Sequence, residues 1–203
     1  MVLPICPFGN IEWWSLALQC ETIQLNCFEN FQKQTWRNRY DILGANGVQK
    51  LSIPISRPSG IKLKTTEISI FNEDDWKKIH WRSIKSAYGS SPFWIYYSEE
   101  LESIFTKKHI SLKNFCLESI QFILNELQLE NKLIYVTQAP DIASFTHLSF
   151  KPSKSTFKSV KYQQVFSDRS VFKQNLSVLD LLFNLGPQTE EFLLQQKNTE
   201  KTA

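Results

Sequence analysis

The sequence predicts an α/β fold: a single domain with a mixed β-sheet flanked by helices. Two observations carry this expectation. Short apolar runs of period two recur between longer stretches of helical period. A strand, a helix and a second strand also fit within residues 2–28, the compact opening of a βαβ unit. A chain of 203 residues with 42% hydrophobic side chains suits one core. The domain is expected over 1–195, with a disordered tail over 196–203.

The elements follow in order. Val2–Cys6 is a short apolar run ended by Pro7 and Gly9, and reads as a buried strand. Asn10 is placed to cap a helix to about Leu18. Residues 22–28 alternate Ile23, Leu25 and Cys27 on one face. Residues 37–43 and 49–55 form two strands joined through Gly44-Ala45-Asn46-Gly47, where Asn-Gly favours the positive φ of a tight hairpin. Pro54 lacks an N–H, so the return strand lies at an edge or ends there. A strand over 66–71 completes the predicted sheet, and helices over 10–18, 74–88 and 112–128 pack on it. A helix from about Pro92 through Phe105, a strand over 132–137 and an apolar stretch over 176–183 follow. Between the last two, residues 151–173 are rich in lysine and read as a mobile loop.

Composition excludes several functions. A net charge of +3 is too small for a dedicated nucleic-acid binder. No apolar run is long enough to span a membrane, and the first residues lack a basic region and a cleavage pattern. Cysteines 6, 20, 27 and 116 show no Cys-x-x-Cys spacing, so reduced thiols in a cytoplasmic protein are expected. There is no glycine-rich phosphate loop and no metal-ligand spacing, so neither a cofactor nor a metal is expected.

The polar residues concentrate between Glu29 and Asp41. In an extended chain Arg37, Arg39 and Asp41 share one face, which places the two guanidiniums roughly 7 Å apart. Such a pair suits a diphosphate or carboxylate, and equally a solvated strand face. On the 74–88 helix, Trp76, His80, Ile84 and Tyr88 form an inward stripe widened by Ile79 and Ala87. An inward histidine is either a satisfied core residue or an acid–base group near working pH.

Four separated blocks resemble the WbqC-like protein family. They are Glu29-Asn30-Phe31-Gln32-Lys33-Gln34-Thr35-Trp36-Arg37-Asn38-Arg39; Asn46-Gly47 with Leu51-Ser52-Ile53-Pro54; Trp76 and His80-Trp81-Arg82-Ser83-Ile84 with Ala87-Tyr88 and Ser91-Pro92-Phe93; and Tyr162-Gln163-Gln164-Val165-Phe166 with Asn175 to Asn184. The resemblance implies a bacterial protein, with some members encoded among surface-polysaccharide (O-antigen) genes. It carries no catalytic mechanism.

Two functions are expected from these residues. In the first, a transferase acts on an anionic activated-sugar or acyl substrate: His80 and Glu29 are catalytic, and Lys33, Arg37, Asn38, Arg39, Arg82 and Tyr88 bind substrate. In the second, the same groups hold an anionic or glycan ligand without chemistry. The partner in both is a small molecule or sugar phosphate. Cys6 and Cys27 are possible nucleophiles, though neither has a base beside it in sequence.

Overall fold

The computed structural model describes residues 2–56, 61–73, 75–135 and 157–196. Strand β1 (Val2–Pro4), helix α1 (Ile11–Leu18) and strand β2 (Ile23–Asn26) form the expected βαβ opening, with β1 and β2 parallel. Strand β7 (Leu133–Tyr135) adds parallel to the other side of β2. The chain reaches it through strands β3 (Arg39–Gly44), β4 (Gly47–Ser52), β5 (Ile55–Ser56) and β6 (Ser69–Ile70), then helices α2 (Trp76–Tyr88), α3 (Trp94–Thr106) and α4 (Leu112–Glu126). Helices α5 (Val178–Leu185) and α6 (Thr189–Leu194) close the fold, and α6 packs on α1.

The α/β class is observed, but the expected single sheet is not. The strands divide into a three-stranded parallel sheet, the β3–β4 hairpin and the small β5–β6 pair. Two local causes separate them. Residues Trp36–Asn38 form a 3₁₀ turn, so the strand expected from residue 37 begins at Arg39. Pro54 ends the return strand, and its carbonyl accepts from Phe71 N–H instead of a ladder partner. The hairpin itself is as expected, with Gly44 paired to Gly47 around a two-residue turn. Burial of Trp76, His80, Ile84, Ala87 and Tyr88 agrees with the predicted stripe of α2, but Ile79 is exposed. The loop at 57–60, residues 136–137, residues 151–156 of the basic segment and the tail from 197 lie outside the described residues.

One hydrophobic cluster runs from Leu3 to Leu193. Its N-terminal anchor is the turn Pro7-Phe8-Gly9-Asn10. Gly9 N–H donates to the Pro7 carbonyl at 2.7 Å, and Asn10 Oδ1 caps α1 by accepting from Trp13 N–H at 2.9 Å. Trp14 Nε1–H donates back to the Phe8 carbonyl at 2.6 Å. This closure needs glycine at position 9, because φ there is +71° and a Cβ would lie 2.6 Å from Trp14 Nε1. Gly9→Ala is expected to lower stability by about 2 kcal/mol through backbone strain and displacement of the buried indole. An unchanged denaturation midpoint would contradict the closeness of that contact.

Candidate functional site

The segment after β2 is held in place by its own polar residues. Backbone bonds tie Phe31 N–H to the Leu63 carbonyl and Thr65 N–H to the Glu29 carbonyl. Thr35 caps the 3₁₀ turn and donates to the Gln32 carbonyl at 2.7 Å. Arg37 is buried, and its fork meets Glu29 twice, Nε to Oε1 at 2.7 Å and Nη2 to Oε2 at 2.6 Å. Its Nη1 reaches Thr35 Oγ1 at 3.3 Å. Asn38 Nδ2 donates to the Ile53 carbonyl and the Asn38 carbonyl accepts from Ile53 N–H, which ties the start of β3 to the end of β4. Glu29, Arg37 and Asn38 are therefore brought together, but their bonds run to the protein itself. Arg37 and Arg39 do not share a pleat, because residue 37 lies in the turn and only residue 39 in the strand.

His80 has different partners from those expected. It is 3% exposed, and its Nδ1 lies 2.9 Å from the Tyr40 hydroxyl. The ring also bonds to the backbone of Ser52. These two contacts fit the tautomer in which Nδ1 accepts from Tyr40 and Nε2–H donates to the Ser52 carbonyl. Glu29 bonds to Arg37 instead, so the anticipated Glu29–His80 pair does not form. Burial lowers the His80 pKa to about 4, and the ring is neutral at pH 7.

That depressed value has a definite linkage sign. Between pH 6.5 and about 4 the unfolded histidine binds a proton that the folded one refuses, so its stabilising contribution is lost as pH falls through this window. His80→Gln is expected to cost roughly 1–3 kcal/mol at pH 7 from its hydrogen bonds. The gap to the unsubstituted protein should narrow in urea titrations at pH 4.5. A constant gap would mean that the ring is not held neutral.

The remaining predicted residues lie apart. Lys33 and Arg82 are exposed. Tyr88 is fully buried; its hydroxyl accepts from Leu43 N–H at 3.2 Å and lies against the carboxylate of Asp180. Asp180 is also bonded by Tyr162 and Gln164, and burial raises its pKa to about 6 against the pull of these donors. Gln164 in turn closes the 164–173 loop through two bonds to the backbone of Lys173. The C-terminal block of the sequence is thus clamped onto α2 through a buried carboxylate.

A small recess opens beside the hairpin, with a cavity volume of about 10 Å³. Cys6, Pro7, Gly9 and Asn10 form one wall, Trp36, Arg39, Tyr40 and Asp41 another, and Ser177 the third. Backbone bonds join these walls: Ser177 N–H to the Asp41 carbonyl at 2.8 Å, Val178 N–H to the Gly9 carbonyl at 2.9 Å and Ile11 N–H to the Leu176 carbonyl at 3.0 Å. Three side-chain atoms around the recess are buried with no hydrogen-bond partner: Trp36 Nε1, Arg39 Nε and Asp41 Oδ1. Burial lifts the Asp41 pKa to about 6, while Lys50 and Arg39 draw it down. Burial also pushes the Cys6 thiol far up and raises Cys27, so both stay protonated at neutral pH and neither is an activated nucleophile.

In the sequence Asp41 reads only as a neighbour of Arg37 and Arg39 on one strand face. The readable signal was the Arg39-x-Asp41 alternation, which does put both residues on the recess. The contribution of Cys6, Asn10 and Ser177 had no local signal, because it arises where three distant segments meet.

Among the described residues no three His, Cys, Asp or Glu side chains are grouped to hold a metal, and no helix is long and apolar enough to cross a membrane. The arrangement is an α/β protein with a small recess at the junction of its N-terminal turn, its hairpin and its C-terminal helices. The chain belongs to the WbqC-like protein family, whose family model matches residues 8–149. It is similar to the uncharacterized protein Rv1507c of Mycobacterium tuberculosis, with 21% identity over 193 residues covering 80% of this chain and 83% of the relative. No solved structure matches the chain significantly.

Proposed function

We propose that this chain is a cytoplasmic transferase acting on an anionic activated-sugar or acyl substrate in bacterial surface-polysaccharide biosynthesis, with the recess as its site. The observation that carries the proposal is the set of unpartnered polar atoms on residues that line that opening. Leaving a buried polar atom unpaired costs about 1–3 kcal/mol, so three around one opening point to a bound group that completes them. Asp41 is the acid–base group, since its carboxyl titrates at about 6, close to working pH. Arg39 supplies the permanent charge that a diphosphate or carboxylate requires. Lys33 and Arg82 are exposed and do not line the recess, so no part of the substrate is assigned to them. Glu29, Arg37 and Asn38 position the Trp36–Asp41 segment, and His80 positions Tyr40.

A second reading, binding of an anionic or glycan ligand without turnover, is favoured by one observation. The expected acid–base pair of Glu29 and His80 is absent, which leaves Asp41 as a single titrating group at the recess. A thermal-shift screen of nucleotide-sugars and acyl donors, followed by product analysis, separates the two. Turnover supports the transferase, stabilisation without product supports the binding protein, and no response to any compound would remove both.

A further inference from the structure

We propose that the cleft between the hairpin tip and α2 binds an uncharged sugar unit. It is a second site, independent of the reading above, because no residue lines both the cleft and the recess. Residues 44–49 of the hairpin form one wall, and Ser83, Ser86 and Ala87 of α2 form the other. The cleft volume is about 400 Å³, against about 10 Å³ for the recess. Small-molecule sites span about 300–1,000 Å³.

The opening is accessible. Ala45, Asn46, Val48, Gln49 and Ser86 are exposed, and an atom added at the Cβ position of Gly47 would meet nothing within 4 Å. The two walls meet through one bond, from Gln49 Nε2 to Ser83 Oγ at 2.9 Å. That bond leaves the carbonyl oxygen of Gln49 and the hydroxyl proton of Ser83 for a ligand. The Asn46 amide and the Ser86 hydroxyl add two groups that have no hydrogen-bond partner among the described residues.

The lining selects the class of ligand. No charged side chain lines the cleft, so an ion would give up water without gaining a counter-charge. Arg82 and Lys85, chain neighbours of Ser83 and Ser86, are exposed but lie outside the lining. No aromatic side chain lines it either, so a flat apolar ring finds no stacking partner. Two primary amides and two hydroxyls remain, and each can both donate and accept. A primary amide holds its donor and its acceptor side by side. Two adjacent hydroxyls of a sugar complement that pair, one accepting from the NH2 and the other donating to the C=O. An extended peptide presents its N–H and C=O groups to alternate sides and matches such an amide less well. Glycine and alanine keep the walls low, and Val48, 43% exposed, offers apolar contact to the C–H face of a sugar ring.

The test uses the full chain with the methyl glycosides of glucose, galactose, mannose and N-acetylglucosamine. Binding is followed by the side-chain NH2 resonances of Asn46 and Gln49, assigned through Asn46→Asp and Gln49→Glu. At least one glycoside is expected to shift both. Ser86→Trp puts an indole into the cleft from an exposed helix position and should weaken that binding about tenfold or more. Asn46→Ala, which removes an amide without filling space, should weaken it less and serves if the tryptophan variant fails to fold. Added salt should leave the affinity unchanged, because no ion pair is made. Asp41→Asn should also leave it unchanged, since Asp41 lines only the recess. Binding untouched by both cleft variants, or abolished by Asp41→Asn, would place the sugar elsewhere and overturn the inference. Displacement by inorganic pyrophosphate would make the cleft an anion site. Shifts with an end-blocked alanine peptide and with no glycoside would make it a peptide groove. No shift with any of these compounds would reduce it to a solvent-filled gap. None of these measurements needs an activated donor, so a failed transferase reading leaves them standing. Turnover of a nucleotide-sugar without the two shifts would sink the present inference alone.

Discussion

Asp41→Asn is expected to lower the transfer rate a hundred- to ten-thousand-fold, the range a positioned general base supplies. The same substitution should stabilise the unliganded protein at neutral pH. The two effects share one cause. The folded carboxyl titrates at about 6 against an ordinary value of 3.8, because burial disfavours its charged form. Between these pH values the folded state holds a proton that the unfolded state has released. The carboxyl's favourable contribution is therefore complete below pH 3.8 and is lost as pH rises through 6. Asparagine keeps the shape without the charge, so the variant's melting temperature should exceed that of the unsubstituted protein at pH 7.5 and approach it at pH 4. A variant that is inactive and less stable at pH 7.5 would show that Asp41 is a structural acceptor. A variant with full activity would remove it from the chemistry.

Arg37→Met is expected to destabilise the protein by about 3 kcal/mol, near the lower end of the cost of breaking a buried ion pair from one side. The Glu29 carboxylate would lose both of its short bonds while remaining largely shielded, with its side chain 21% exposed. Thr35 would lose the contact from Nη1, and the turn that carries Trp36 and leads into Arg39 would lose its brace. Adding Glu29→Gln should recover part of the loss, since it removes the stranded charge. Equal stability of Arg37→Met and the unsubstituted protein in urea titration would restore Arg37 as a ligand-binding candidate. On a pleated strand, replacement of both arginines would have left the free protein unchanged. The turn at Trp36–Asn38 makes the two positions unequal: Arg37 braces, and Arg39 faces the recess.

This contrast marks what was legible in the sequence. Periodicity located α1, α2 and α4, and the Gly44–Gly47 turn located the hairpin, because those signals lie within one element. The division of the strands into separate sheets was not legible, since it depends on a Thr35-capped turn and on Pro54 redirecting the chain. The inward direction of His80 was legible from its stripe. Its partner was not, because Tyr40 lies forty residues away and no local pattern names it. The recess was least legible, because the three segments that wall it are adjacent only in space.

That junction has a consequence for how the protein is made. The span matched by the family model ends at residue 149, yet the third wall of the recess is Ser177. During synthesis the N-terminal turn emerges first, and the Gly9 carbonyl and Ile11 N–H must wait for partners supplied by Leu176 and Val178. Non-local closures of this kind form late. A nascent chain, or a fragment cut at residue 149, therefore carries Trp36, Arg39 and Asp41 without the surface that encloses them. Ligand binding becomes a report that translation has passed residue 178.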